Sequence, residues 1–145
     1  MSAELELTRR DEPAHVQVQG DLAQSVARAI ADDISRKMML CATESSKTVE
    51  EMSQQQGISL STCYRRINDL LENGLMFVDR IVVTRAGRYA KYRAGFSAFQ
   101  IVTDSTGLRV EVVVNEAVAE KVRRKWVAMS DGVRAGAWSP SSFAF

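Results

Sequence analysis

The sequence contains few of the residues from which metal centres are built. It has two cysteines and one histidine, so the four close ligands of a usual structural zinc site are lacking. Cys41 and Cys63 both stand at apolar positions of helical patterns, which predicts two buried free thiols. We therefore expect neither a metal nor another cofactor.

Long apolar runs are also lacking. No run approaches the ~20 residues that a membrane-spanning helix needs. Residues 1–15 are charged and have no apolar stretch of the kind found in a signal peptide. These absences predict a cytoplasmic protein without a membrane partner. The sequence also has no glycine-rich phosphate loop and no nucleophile motif, so we expect it not to be an enzyme.

The charges that are present are distributed unevenly along a chain of 145 residues with a net charge of +1. Residues 1–58 hold six Lys and Arg against ten Asp and Glu, a net charge of −4. Residues 59–93 hold seven against three, a net charge of +4. A basic segment within a nearly neutral chain is the electrostatic footprint expected for phosphate binding. The length itself predicts one domain, with short appendages.

The stretch TVEEMSQQQGISLSTCYRRINDLLENGL, at residues 48–75, predicts two short helices joined by a tight turn. Thr48 and Glu51 form the pattern of a capping box at the start of the first helix. Gly57 stands where the end of that helix favours a positive φ. Ser59 is a good N-cap for the second helix.

The second predicted helix is amphipathic, with one apolar side. Its first two turns contain no acidic residue, although acids are normally favoured near a helix N-terminus. The positive end of the helix dipole and the guanidinium groups of Arg65 and Arg66 are therefore suited to phosphate groups and guanine edges. The apolar side consists of Leu60, Cys63, Ile67, Leu70 and Leu71.

A basic β-hairpin is predicted after this helix. Strand-like residues 75–84 and 88–93 flank the turn Thr84-Arg85-Ala86-Gly87. The hairpin could be a wing that contacts nucleic acid. The alternative is an ordinary hairpin with a solvated charged face.

Residues 99–114 predict a second hairpin, and Asn115 can cap a final helix. The three valines at 112–114 predict a strand that is covered on both sides. The final helix carries an apolar stripe that either closes the core of the monomer or forms a dimer interface, where a Trp anchor is typical. The stripe consists of Val118, Val122, Trp126 and Met129.

Three stretches of the chain resemble the ArsR-type winged helix-turn-helix transcription regulators, in particular their archaeal members. They are AIADDISRKMML at residues 29–40, the helix pair at 48–75, and RAGRYAKYR at 85–93. The resemblance implies an α+β fold with a winged helix-turn-helix core, followed by a C-terminal β-hairpin and helix. The metal-sensing members have clustered Cys or His, which this chain lacks, so metal sensing is not implied.

The resemblance also implies a function. It implies a homodimer that regulates transcription and places the recognition helix, from Ser59 to Asn73, in the major groove of double-stranded DNA. The wing is then expected on the DNA backbone or in the minor groove. The implied groove contacts are Ser61, Thr62, Tyr64, Arg65, Arg66 and Asn68, and the implied wing contacts are Arg85, Arg88 and Lys91.

On this reading the chain divides into four regions. These are a flexible N-terminal arm (residues 1–15), a DNA-binding domain (16–95), a hairpin with a helix for dimerisation or regulation (96–130), and an irregular tail (131–145). Because a fold does not determine a function, the alternative is a winged-helix protein–protein adaptor without autonomous sequence-specific DNA binding.

Overall fold

The computed structural model describes residues 15–129, which form a mixed α+β fold. The predicted arm up to residue 14 and the predicted tail at 131–145 lie outside the described residues. The elements are, in order, β1 (His15–Gln19), α1 (Gly20–Ala31), α2 (Asp33–Cys41), α3 (Val49–Gln56), α4 (Leu60–Glu72), β2 (Met76–Thr84), β3 (Gly87–Ala94), β4 (Phe96–Asp104), β5 (Gly107–Val114), a 3-10 turn (Glu116–Val118) and α5 (Ala119–Met129).

The strands form two antiparallel sheets within the described residues. Strands β2 and β3 make a two-stranded hairpin, and strands β1, β5 and β4 make a three-stranded sheet with β5 in the centre. In the larger sheet, His15 pairs with Val113 and Gln19 pairs with Arg109. The strand that opens the described chain therefore lies beside the C-terminal hairpin, across the division that the sequence predicts at residue 95.

Helix α1 packs against β5 and covers one face of the three-stranded sheet. Val110 and Val112 are fully buried on that face, and Val26 of α1 is buried as well. Side chains alternate between the faces of a strand, so Val113 points to the opposite face. Val113 is only half-buried, and the predicted cover on both sides of residues 112–114 is therefore incomplete.

The predicted start and end of α3 are confirmed. The Thr48 hydroxyl accepts from the Glu51 N–H, and the Glu51 carboxylate accepts from the Thr48 N–H, both at 3.0 Å. The helix ends at Gly57, which has a φ of 65°. Each of these contacts joins residues within one turn, which explains why the sequence pattern was sufficient to predict them.

Helix α5 closes the core of the monomer. Asn115 is confirmed as a cap, because its side chain accepts from the Ala117 N–H at 3.1 Å, although a 3-10 turn precedes the helix. Val118, Val122 and Trp126 are at most 3% exposed within the single chain. Of the four residues in the predicted apolar stripe, only Met129 is left half-buried. Three of the four side chains of this stripe therefore lie in the core of the monomer, which is the first of the two alternatives.

The two thiols differ in burial. Cys63 is fully buried, as predicted, whereas Cys41 is only half-buried and donates to the side-chain oxygen of Gln55 at 3.2 Å. Between residues 15 and 129, no three His, Cys, Asp or Glu side chains are grouped so that they could hold a metal ion. None of the helices in the described part combines the length and the apolar character that crossing a bilayer requires.

Candidate nucleic-acid interface

A tight turn fixes the start of α4 relative to α3. The Ile58 N–H donates to the Ser53 carbonyl at 3.1 Å, and the Ser53 hydroxyl donates to the Ile58 carbonyl. Ser59 is the N-cap, as predicted, and its hydroxyl accepts from the Thr62 N–H at 3.4 Å. The same hydroxyl donates to the Thr62 hydroxyl at 2.8 Å. Thr62 is therefore part of the cap and is half-buried.

The apolar side of α4 anchors the helix in the core. Cys63, Ile67 and Leu70 are at most 1% exposed, and they follow one another at spacings of four and three residues. Leu60 was predicted on this side but is 43% exposed, because the first turn of the helix extends beyond the core. Leu71 is half-buried. The buried side leaves the opposite side of the helix facing solvent.

Three of the predicted groove contacts lie in one exposed row along α4. Ser61, Arg65 and Asn68 are all exposed, and their spacings of four and three residues place them on one face of the helix. Arg65 forms no ion pair with any residue in the described part of the chain. The row offers a hydroxyl, a guanidinium and an amide, which are groups that can hydrogen-bond to base edges.

Arg66 is directed towards α2 and not along this row. Its guanidinium lies 3.2 Å from the Asp32 carboxylate, and the two side chains are 28% and 33% exposed. The Arg66 Nε atom is buried without a hydrogen-bond partner in the described structure. Asp32 also accepts from the Ser35 N–H at 2.9 Å as the N-cap of α2. That bond, followed by the Ser35 hydroxyl and the charge of Arg66, holds the pKa of Asp32 below its usual range.

Tyr64 is exposed but has a partner on α3. Its hydroxyl donates to the Glu50 carboxylate at 2.9 Å. This hydrogen bond stabilises the neutral phenol and raises the pKa of Tyr64. The pKa of Tyr92, on β3, is raised first by burial and then by the charge of Glu50. Glu50 and Tyr92 were not predicted to belong to this surface, because nothing in the local sequence pattern relates α3 and β3 to Tyr64.

The wing candidates lie on different parts of the β2–β3 hairpin. Arg85 and Arg88 are exposed at its tip, whereas Lys91 is half-buried. Arg88 and Lys91 are three residues apart on one strand, so they project from opposite faces. Lys91 faces Arg80 across the ladder, and it lies near enough to Glu51 that its charge contributes to lowering the pKa of that residue, after the Thr48 hydrogen bonds. The tip therefore exposes two cations, Arg85 and Arg88, that form no ion pair with residues 15–129.

The hairpin also exposes apolar side chains, and this exposure was not predicted from the sequence. Val83 is 72% exposed and Ile81 is 47% exposed. Val83 pairs with Arg88 and Ile81 pairs with Ala90, so these residues share one face of the hairpin. The continuous apolar run of Ile81, Val82 and Val83 in β2 was the available signal, because successive residues of a strand point to opposite faces. The outer part of the hairpin is thus both basic and apolar.

No family model matches the sequence, and no curated protein matches it. A solved structure that it resembles is the homodimeric winged helix-turn-helix DNA-binding domain of a possible ArsR-family transcriptional regulator from Mycobacterium bovis. The two are 20% identical with a TM-score of 0.41, and the similarity covers 51% of this chain and 64% of that domain. A similarity at this level does not define the function of the present chain.

Proposed function

We propose that α3, α4 and the β2–β3 hairpin form a winged helix-turn-helix and that the chain is a DNA-binding transcription regulator. The observation that supports this most directly is the exposed row of Ser61, Arg65 and Asn68 on a capped helix. The first turn of that helix carries no acid, and the basic hairpin tip follows it in the chain. A helix of this kind fits the width of the major groove.

We assign different roles to the polar side chains. Arg65 is suited to bidentate bonds with a guanine and Asn68 to bonds with an adenine. Ser61, in the first turn, is suited to a phosphate because the free N–H groups of the helix start lie beside it. Arg85 and Arg88 at the tip contact the DNA backbone or the minor groove. Arg66 and Thr62 hold the helix in place, and Tyr64 is restrained by Glu50.

A regulator of this type reads two half-sites through a dimer, with recognition helices about 34–36 Å apart or a multiple of that distance. We propose a homodimer, with residues 16–95 as the DNA-binding part and residues 96–130 serving dimerisation or regulation. Because Val118, Val122 and Trp126 are buried, α5 can contribute to a dimer only through Met129 and its exposed side.

The test is binding to random-sequence duplex DNA, followed as a function of salt and combined with selection of preferred sequences. A protein that neutralises several phosphates should lose affinity steeply as salt rises. Replacing Arg65 with Ala should weaken binding to the selected site by ~1–3 kcal/mol and relax the preference at one base position. Arg123→Ala, which removes the same charge from α5, is the matched control and should leave the base preference unchanged. An Arg65→Ala variant with unaltered affinity and preference would contradict the proposed reading role.

The adaptor alternative has one specific observation in its favour, which is the exposure of Val83 and Ile81. Neighbouring apolar side chains that are this exposed are suited to contact with a partner protein. The absence of DNA binding even at low salt, together with loss of a protein partner in a Val83→Ser variant, would support the adaptor over the regulator.

A further inference from the structure

An open groove runs between α5 and the start of β2, with a volume of about 380 Å³. Its floor is apolar and its rim is basic. Among the floor residues Val78 is 37% exposed, whereas Phe77 is 8% exposed. We refer to this feature as the α5–β2 groove. It is lined by Leu71, Met76, Phe77, Val78, Lys121, Arg124 and Lys125.

The positive charge on the rim is only partly balanced by the described chain. The Lys121 ammonium donates to the main-chain carbonyls of Val78 at 2.6 Å and Asp79 at 3.3 Å, which fixes the rim against β2. The Arg124 side chain is 76% exposed, and its Nε lies 3.6 Å from Glu120, which also pairs with Arg123. Lys125 forms no ion pair with residues 15–129. A matching occupant therefore combines carboxylates with apolar side chains.

The chain itself contains a segment with this chemistry, the sequence Glu-Leu-Glu-Leu at residues 4–7. Leu5 and Leu7 would cover the apolar floor, and Glu4 and Glu6 would meet the basic rim. We propose that residues 4–7 dock in the α5–β2 groove of the same chain. This groove is separate from the exposed row of Ser61, Arg65 and Asn68, and docking there does not depend on DNA binding.

The described chain begins close enough to the groove for this contact. His15 pairs with Val113, two residues before Asn115. The Asn115 N–H donates to the Gly95 carbonyl at 2.8 Å, and Gly95 lies against the Phe77 ring in the floor of the groove. Ordinary strand and pair spacings along this path place His15 roughly 20 Å from the groove.

The intervening chain can span that distance. Leu7 and His15 are eight residues apart, and eight extended residues reach at most ~26–29 Å. The connection between Leu7 and His15 is therefore long enough for docking within one chain. Because it is short, it keeps residues 4–7 at a high effective concentration near the groove. A separate acidic peptide would lack that advantage.

The experiment introduces the photo-crosslinking residue benzoylphenylalanine in place of Leu5 in the full chain, and maps the crosslinked peptides by mass spectrometry. Crosslinks to residues 71–78 and 121–125 are expected. The yield should fall as salt rises, because Lys121 and Arg124 on the rim are solvent-exposed and their charges are therefore screened. Crosslinks that are spread over the surface or directed to other elements would overturn the proposal.

Two variants on the same helix sharpen the test. Arg124→Glu reverses a charge on the rim and should lower the crosslink yield at residues 71–78 roughly tenfold, which corresponds to ~1.4 kcal/mol. Arg123→Glu reverses a charge that does not line the groove and should leave the yield within about twofold of the parent chain. Equal effects of the two reversals would show that overall charge, and not the groove, governs the contact.

Charge exchange and isotope labelling separate the remaining outcomes. Glu4→Lys combined with Glu6→Lys should lower the yield, and adding Arg124→Glu to those two changes should restore much of it. Failure of this restoration would count against a direct charge contact. A mixture of isotopically light and heavy chains distinguishes crosslinks within a chain from crosslinks between two chains. Crosslinks between chains only would overturn the same-chain assignment in favour of a second copy.

Discussion

The indole Nε1 of Trp126 donates a 2.7 Å hydrogen bond to the main-chain carbonyl of Gly74, where α4 ends and β2 has not yet begun. Gly74 has a φ of 71°, and the approach is so close that a Cβ on Gly74 would lie 2.7 Å from Nε1. The indole also packs against the Phe96 ring in a tilted arrangement, with ring centroids 4.8 Å apart. The two residues therefore fix α5 against the end of the proposed recognition helix.

Gly74→Ala should destabilise the protein more than Gly57→Ala. Both glycines have positive φ, so each substitution should cost ~1–2 kcal/mol in backbone strain. Of these two glycines, Gly74 is the one where a Cβ would meet a described neighbour within 4 Å, and displacing the buried indole should add ~1–3 kcal/mol. Urea unfolding of the two variants measures the difference. Equal losses would mean that the indole yields to the new methyl group at little cost.

Arg66→Ala and Arg65→Ala should separate stability from DNA binding. Arg66 is paired with Asp32, so its removal should lower the free energy of unfolding by about 1 kcal/mol. Arg65 is exposed and has no ion-pair partner among residues 15–129, so its removal should change that free energy by less than ~0.5 kcal/mol. Its effect should appear in DNA affinity instead.

A double-mutant cycle with Asp32→Ala provides the control for the arginine pair. It should give a coupling energy with Arg66 and none with Arg65, because only contacting residues couple. The reverse pattern would show that Arg66 is the arginine that turns outward in solution.

The protein should lose stability in acid partly through its two helix-capping carboxylates. The pKa of Asp32 and that of Glu51 are lowered, first by hydrogen bonds from the Ser35 and Thr48 N–H groups, respectively. A folded-state pKa below the unfolded value contributes stability above the unfolded pKa of about 4, and this stability is lost as the pH falls through the folded value. Urea unfolding should therefore show a fall in stability on acidification below about pH 4.

Neutral replacements test this assignment. Asp32→Asn combined with Glu51→Gln keeps acceptor oxygens at both caps but removes the titration. The double variant should show a shallower dependence of stability on pH than the parent chain over the same acidic range. An unchanged slope would assign the acid sensitivity to other carboxylates.

Glu50→Ala should lower the pKa of Tyr64. The hydrogen bond to Glu50 is the largest cause of the raised pKa, and the negative charge of Glu50 adds to it. The near-ultraviolet absorbance of the phenolate, followed against pH, measures the change. The difference between the parent chain and a Tyr64→Phe variant assigns the signal to Tyr64. Identical titration curves with and without Glu50 would show that the 2.9 Å contact does not persist in solution.

Many of the local features followed from the sequence. The cap at Ser59, the capping box of Thr48 and Glu51, and the positive φ of Gly57 are confirmed. Each depends on residues within about one helical turn, so the sequence pattern contains all the interacting groups. The predicted α+β character and both hairpins also follow from such patterns.

The contacts of individual side chains could not be predicted from the sequence, because their partners are distant along the chain. The helical pattern predicts Arg65 opposite the apolar side of α4 and Arg66 on its flank, and both were expected to contact DNA. Arg66 bonds to Asp32, 34 residues away, whereas Arg65 faces solvent. The sequence pattern of a single helix does not show which of its polar residues will contact a neighbouring helix.

The sequence by itself determined the cap and the end of α3 and the cap of α4, and it determined the basic character of residues 59–93. The tertiary structure alone decided that Trp126 closes the core on Gly74, 52 residues earlier, and that β1 joins β5. It also decided that Arg66 pairs with Asp32 and that a groove forms between α5 and β2. The physical reason is that capping and alternation are short-range effects, whereas burial and pairing depend on how the elements pack together.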